Sequence, residues 1–384
     1  MEFDFDEIIP RRGTDCEKWD EYPEDVLPLW VADMDFRAPP AVIEALRARV
    51  EHGIFGYGKE PAVLREIITA RLKRLYGWEV APEAIVFVPG VVRGIHMACK
   101  GLVAPGEAVL YQVPVYPPIH RAPAQNGLAG VANQLISDER GWYTIDFDTL
   151  EAQMSPPVRL FILCNPHNPV GRVFRRPELE RLAEMCLRHD VVICSDEIHC
   201  DLVYSGHAHI PIATLAPEVE ARTITLMAPS KTYNIAGLEC SVAIVPNAEL
   251  RARFLAGRCN LVPGINVMGF IAAQAAYQHG DAWLAALLRY LEDNRDFLCR
   301  YIEEHMPGLR VYPPEGTFLA WIDCRQAGLP GEPYDFFLER ARVALNPGPT
   351  FGAGGEGFVR LNFGCPRAVL AEALERMRAA LAAR

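Results

Sequence analysis

Between residues 84 and 246, short apolar runs alternate with amphipathic stretches, and this pattern restricts the fold more than any other feature of the chain. "AIVFVPG" (84–90), "AVLYQVP" (108–114), "RLFILCNP" (159–166), "VVICSDE" (191–197), "TITLMAPSK" (223–231) and "SVAIVP" (241–246) read as strands without a polar face. "VVRGIHMACKGL" (91–102) and "PELERLAEMCLRHD" (177–190) read as helices. Val91, Ile95 and Ala98 fall on one side of the first, and Leu179, Leu182, Ala183 and Cys186 on one side of the second. Strands apolar on both faces, separated by helices, predict an α/β fold with a mostly parallel sheet covered by helices. Beyond residue 280 the pattern changes. A long helix is expected over 281–306, then strands in "VYPPEGTFLAWID" and "GFVRLNF", then a terminal amphipathic helix with Leu370, Leu374, Met377 and Leu381 in register. A second, smaller α+β domain is expected there.

In open α/β sheets, ligands bind beyond the carboxyl ends of the strands. The residues at those ends are therefore the candidates. The run at 108–113 is followed by Tyr116, that at 159–164 by Asn168 in "NPHNPVG", that at 191–195 by Asp196 in "SDEIH", and that at 223–227 by Lys231 in "APSK". Each has an ordinary reading: Asn168 as turn chemistry, Asp196 as a helix cap, Tyr116 as packed surface, and Lys231 as a solvated strand-end charge. Those readings do not explain why the four stand together. Pyridoxal phosphate does, because it condenses with a lysine amine and its ring acts as an electron sink. A buried carboxylate favours a protonated ring nitrogen, which suits Asp196. An amide donor at the ring oxygen suits Asn168, an aromatic ring stacked on the cofactor suits Tyr116, and a glycine turn into a helix, "VPGVVRGI", suits a phosphate.

Composition excludes other classes. A net charge of −11 without a basic cluster argues against nucleic acid and anionic membranes. The N-terminus lacks the basic start and apolar run of a signal peptide. No apolar stretch approaches the roughly 20 residues that span a bilayer. Eleven cysteines without a C-x-x-C pair are expected to be reduced core residues in the cytoplasm, with no metal site. Cys194, His199 and Cys200 lack further zinc ligands, and His207 with His209 reads as a surface loop. "GAGGEG" (352–357) precedes a strand instead of following one, so it is not a nucleotide loop; a flexible loop near the site is expected.

"NPHNPVG", "SDEIH" and "SKTYN", in that order, resemble the fold-type I pyridoxal-phosphate enzymes of the class I/II aminotransferase superfamily. "LWVADMDF" (29–36), "GIFGYG" (53–58), "APSKTYNIAGL" (228–238) and "FVRLNFGCPR" (358–367) resemble its cystathionine β-lyase-like branch, the MalY/PatB family. The resemblance covers nearly the whole chain. It implies a large domain at residues 46–280 with a seven-stranded sheet, and a small domain formed by residues 1–45 and 281–384. It also implies a homodimer with shared active sites and an amino-acid substrate. Lys231, Asp196 and Tyr116 would be catalytic. Arg360 would bind the substrate carboxylate, with Asn168 and the Ala32 backbone beside it. Ser230 and the backbone at Val91 and Val92 would hold the phosphate, and Tyr57 would reach that of the neighbouring subunit. His199 would face the ring oxygen or serve structure alone. One position departs from the pattern: many aminotransferases carry a phosphate-binding arginine eight residues after the lysine, where this chain has Glu239. The implied activity is carbon–sulfur β-lysis of L-cystathionine or related cysteine conjugates. A class I/II aminotransferase and a cofactor-binding regulator are the alternatives.

Overall fold

The computed structural model describes residues 3–155 and 157–383. Its main sheet has seven strands: β1 (Ile85–Val88), β2 (Ala108–Val113), β3 (Ala129–Gln134), β4 (Val158–Cys164), β5 (Val192–Asp196), β6 (Thr223–Met227) and β7 (Ser241–Ile244). Their order is β1-β7-β6-β5-β4-β2-β3. All pairings are parallel except those of β7, which runs antiparallel to both β1 and β6. Two antiparallel steps return β1 to the common direction. Its carboxyl end therefore shares an edge with those of β2, β4, β5 and β6.

The central strands lie between helices and are buried along almost their whole length, which is why they carry no polar alternation. Edge strand β3 is the element the sequence pattern did not reveal. Its residues Ala-Gly-Val-Ala-Asn-Gln are mostly exposed, so neither an apolar run nor a period of two marks it.

Helix α3 (Val91–Leu102) follows β1 and lies across the sheet, after α1 (Pro40–His52) and α2 (Ala62–Tyr76). Close approach depends on Gly94: a Cβ there would sit 2.9 Å from Leu226 Cδ2 on β6. Helices α4 (Pro117–Gln125) and α5 (Arg176–Arg188) complete the covering described here. The expected strand over 223–231 is shorter than expected. It stops at Met227, and Pro229–Thr232 forms one helical turn, so Lys231 projects from a turn instead of a strand. Proline fits the first position of that turn, where no N–H is needed.

After α6 (Val267–His279), the long helix α7 (Asp281–His305) leads to a four-stranded antiparallel sheet of β8 (Arg310–Val311), β9 (Leu319–Asp323), β10 (Asn346–Pro347) and β11 (Phe358–Asn362). The last helix, α8 (Arg367–Ala382), buries Leu370, Leu374, Met377 and Leu381, each worth about 1.5–3 kcal/mol of burial.

The N-terminal segment forms a separate two-stranded sheet and hydrogen-bonds to β11. Leu27–Pro28 pairs with Val343–Ala344, and Asn362 Nδ2 donates to the carbonyls of Val31 and Asp33, both at 2.6 Å. Gly280 separates α6 from α7, and residues 45 and 46 lie within α1.

Candidate active site

At the shared carboxyl edge lies a cavity of about 1300 Å³, larger than most pockets for small ligands. Strand register explains its centre. Asp196 ends β5 beside Cys164 on β4 and Leu226 on β6. The loop opened by Asn165 and the turn bearing Lys231 therefore emerge on either side of it. Ten of the eleven expected site residues line the cavity: Ala32, Val91, Val92, Tyr116, Asn168, Asp196, His199, Ser230, Lys231 and Arg360. Tyr57 does not; its side chain is fully exposed outside it.

Lys231 is half-buried with its open side on the cavity, and Nζ donates to Ala32 O at 2.7 Å. Burial lowers its pKa to about 8; Asp33 and Asp196 oppose that fall and Arg360 adds to it. Asp196 is 4% exposed. Burial raises its pKa to about 7, Glu197 adds to the rise, and Lys231 and the Ile198 N–H oppose it. That N–H is 3.1 Å from Oδ1, so the residue both caps the turn and faces the cavity. The two ordinary and functional readings of Asp196 are compatible.

Arg360 is buried on β11. It donates to Asn168 Oδ1 at 3.0 Å, Trp30 O at 2.8 Å and Asn346 Oδ1 at 2.5 Å. Burial lowers its pKa to about 10. A guanidinium only donates, so the Asn168 atom facing it must be the oxygen. The Asn168 amide nitrogen is thereby turned the other way, as a donor. Tyr116 stands at the start of α4, and its N–H donates to Asn168 O at 3.0 Å. Its phenol is pushed up by burial. His199 is buried with its ring edge-on to Phe318, at 5.9 Å between centroids, and Nδ1 has no partner. Burial, then Lys231 and Arg360, hold its pKa at about 3, so it stays neutral. Trp30 is on the cavity wall; Phe318 lies behind His199.

The cavity residues fit pyridoxal phosphate on three observations. Asp196 is a buried carboxylate with a single backbone donor, which a ring N–H would complete. The first N–H groups of α3, at Val91 and Val92, have no acceptor within the helix and open onto the cavity. Gly90 ahead of them takes φ 105°, a conformation other residues avoid.

The sequence model of the "Aminotransferase class I and II" family matches residues 24–377. The chain belongs to this family. Within it, it belongs with the PatB and MalY proteins. It is 43% identical to "Cystathionine beta-lyase PatB" of Bacillus subtilis (strain 168), with 98% of this chain and 99% of PatB covered. "Protein MalY" of Escherichia coli (strain K12) is 34% identical, with 96% of each chain covered. The crystal structure of cystalysin from Treponema denticola, which contains a pyridoxal 5'-phosphate cofactor, superposes with a TM-score of 0.96 at 31% identity over the full length of both chains. The fold is that of the pyridoxal-phosphate aminotransferase-like proteins, and the family is pyridoxal-phosphate-dependent.

Several features of this family member had no expected role from sequence. Asn234, in "SKTYN", clamps the "VADMDF" strap: Oδ1 accepts from Met34 N at 2.9 Å, and Nδ2 donates to Met34 O at 2.8 Å and Phe36 O at 2.7 Å. Lys18 is 0% exposed and donates to Asp35 at 2.7 Å. Asp35 also accepts from Arg11 at 2.6 Å and Trp19 at 2.8 Å. The sequence marks Lys18 only as one charge among many in a polar stretch. One expectation needs correction: His209 is buried, not in a surface loop, and its Nε2 lies 2.7 Å from Glu197 Oε2; His207 is exposed. Gly352–Gly357 does not itself line the cavity, and a Cβ on Gly355 would lie 2.0 Å from Gly348 O. Among the described residues, no cluster of three or more metal-ligating side chains exists.

Proposed function

We propose that the protein is a pyridoxal-phosphate-dependent carbon–sulfur β-lyase that cleaves L-cystathionine or related cysteine S-conjugates to a thiol, pyruvate and ammonia. The observation that carries this is one cavity lined by the Lys231 amine, the buried Asp196 carboxylate and the buried Arg360 guanidinium, in a chain similar end to end to cystathionine β-lyases.

When bound, the cofactor supplies a sink for negative charge at the substrate Cα. The chain's residues do the rest. Lys231 would hold the cofactor through its amine, and the same amine would take the Cα proton; burial, which lowers its pKa, favours the neutral form that this needs. Asp196 would keep a proton on the ring nitrogen of the cofactor, and the Asn168 amide would donate to its ring oxygen. Tyr116 covers the ring face. Arg360 and the Ala32 backbone fix the substrate carboxylate, and the guanidinium fork sets its orientation. Val91, Val92 and Ser230 hold the phosphate. His199, neutral, would pack beside the ring oxygen. The electrons of the Cα–H bond become the Cα=Cβ bond as the Cβ–S bond breaks. The thiolate takes up a proton, and the released aminoacrylate adds water to give pyruvate and ammonia.

We also infer a homodimer. Ile54, Phe55 and Tyr57 are large side chains left exposed along one short segment, which supports an interface across which Tyr57 would reach the phosphate of the second subunit. The free cysteines support a reducing, cytoplasmic setting. The large and small halves meeting at this cavity are proposed as the two domains. No helix among the described residues is long and apolar enough to cross a membrane.

The test is a panel of L-cystathionine, L-cystine and S-methyl-L-cysteine with the loaded protein, reading thiol, pyruvate and other keto acids separately. Thiol and pyruvate in equal amounts are expected. Keto acid from the intact substrate without thiol would replace the lyase reading by an aminotransferase. No product from any substrate would leave only a regulatory role.

A further inference from the structure

The phosphate end of the cavity carries a charge of the wrong sign. Glu239 lines it together with Val91 and Val92, whose N–H groups are proposed to take the phosphate. It is held there by a left-handed backbone, φ 49°. A carboxylate at such a place repels a phosphate, whose charge is about −1.5 to −2 at neutral pH. The structure shows what offsets it. Arg93, in the first turn of α3 two residues after Val91, also lines the cavity, and Nη1 lies 2.9 Å from Glu239 Oε1. The same Nη1 donates to Pro89 O. That carbonyl belongs to the turn entering α3, so the guanidinium folds back over Gly90. Its distance to a Cβ at Gly90 would be 3.3 Å.

We propose that Arg93 is a positioning residue that masks Glu239. By pairing with the carboxylate, it removes one negative charge from the phosphate wall. The net charge of the pair is zero, so the wall is left to the backbone donors. The chain thus tolerates a glutamate at this position, through a compensating cation from another element. Both side chains are about half exposed, so the pair contributes little to folding; its consequence lies in what the cofactor meets.

This inference rests on the cofactor-binding reading above, and its readout is affinity, not turnover. The dissociation constant of pyridoxal phosphate is measured by fluorescence titration of cofactor-free protein for the wild type, Arg93→Met, Glu239→Gln and the double variant. Arg93→Met unmasks the carboxylate and is expected to weaken binding about tenfold, or about 1.4 kcal/mol. Glu239→Gln is expected to bind as tightly as the wild type or more so, and the double variant to return to within about threefold of it. Unchanged affinity in Arg93→Met overturns the proposal. So does a double variant as weak as Arg93→Met, because Arg93 would then act on the phosphate directly. Thermal melting of the four cofactor-free proteins separates affinity from misfolding: equal melting with altered affinity supports the mask, and loss of melting in Arg93→Met would make the pair a structural one and overturn it. A wild type that binds no cofactor would instead defeat the cofactor reading itself.

Discussion

Two lysines contact the "VADMD" strap, one fully buried and one half-buried on the cavity, and their pKa values move in opposite directions. Lys18 has Asp35 at 2.7 Å and Asp33 at 3.7 Å. Burial opposes its charge, but the two carboxylates outweigh burial and its pKa is raised. Lys231 lies on the cavity. Its hydrogen-bond partner is the neutral carbonyl of Ala32, and its neighbours include cationic Arg360, so burial prevails and its pKa falls to about 8. Burial is common to both; the nearest partner decides the outcome. One short segment supplies both partners, a carbonyl to the lysine meant to lose its proton and carboxylates to the lysine meant to keep it.

The largest expected effect follows from the cavity lysine. Lys231→Ala is expected to lower pyruvate production at least about 10³-fold through loss of the proton-transferring amine and to abolish borohydride-stable cofactor attachment, while far-ultraviolet circular dichroism is unchanged. The other lysine should behave in the opposite way. Lys18→Met leaves Asp35 buried with one cation fewer and is expected to cost about 3 kcal/mol in chemical unfolding. Loss of turnover in Lys18→Met at full stability would break the comparison.

A pH series sharpens it further. Lys231 has a folded pKa below its unfolded value of about 10.5. Between pH 8 and about 10.5 the unfolded chain binds more protons there, so this residue's contribution to stability rises with pH across that window. Lys18 has the opposite sign: its contribution is complete below the unfolded value and is lost only as pH rises through the folded one. Unfolding of cofactor-free Lys231→Met should therefore exceed the wild type in stability by about 1 kcal/mol near pH 7, with the gap closing toward pH 10. The smallest effect belongs to Asp33, which lies near both amines. Asp33→Asn is expected to lower the Lys231 pKa further, by about half a unit, read as an earlier midpoint for amine labelling.

The contrast also shows which parts of the molecule were legible in its sequence. Sheet strands buried on both faces reveal themselves as apolar runs, and their carboxyl ends identify Tyr116, Asn168, Asp196 and Lys231 without coordinates. Helix α3 was read with its observed bounds because its apolar face is periodic. Strand β3 was missed because an exposed edge places little demand on side chains. Lys18 was missed because its partners are 15 and 17 residues away across an irregular strap, a spacing that no periodicity marks. His209 was misread because histidines near glycine resemble a surface loop, and its partner Glu197 became a neighbour only through folding. The Glu239 departure was visible; its compensation by Arg93, 146 positions away, was not.

The central claim is that the cavity lysine is an amine of depressed pKa while its fully buried counterpart remains charged. Competitive acylation of the cofactor-free protein between pH 6 and 11, read peptide by peptide with mass spectrometry, tests it most directly. The account expects labelling of Lys231 with a midpoint near pH 8 and no labelling of Lys18 until the protein unfolds. A Lys231 midpoint at the ordinary value near 10.5, or Lys18 labelled in the folded protein alongside it, would contradict the account.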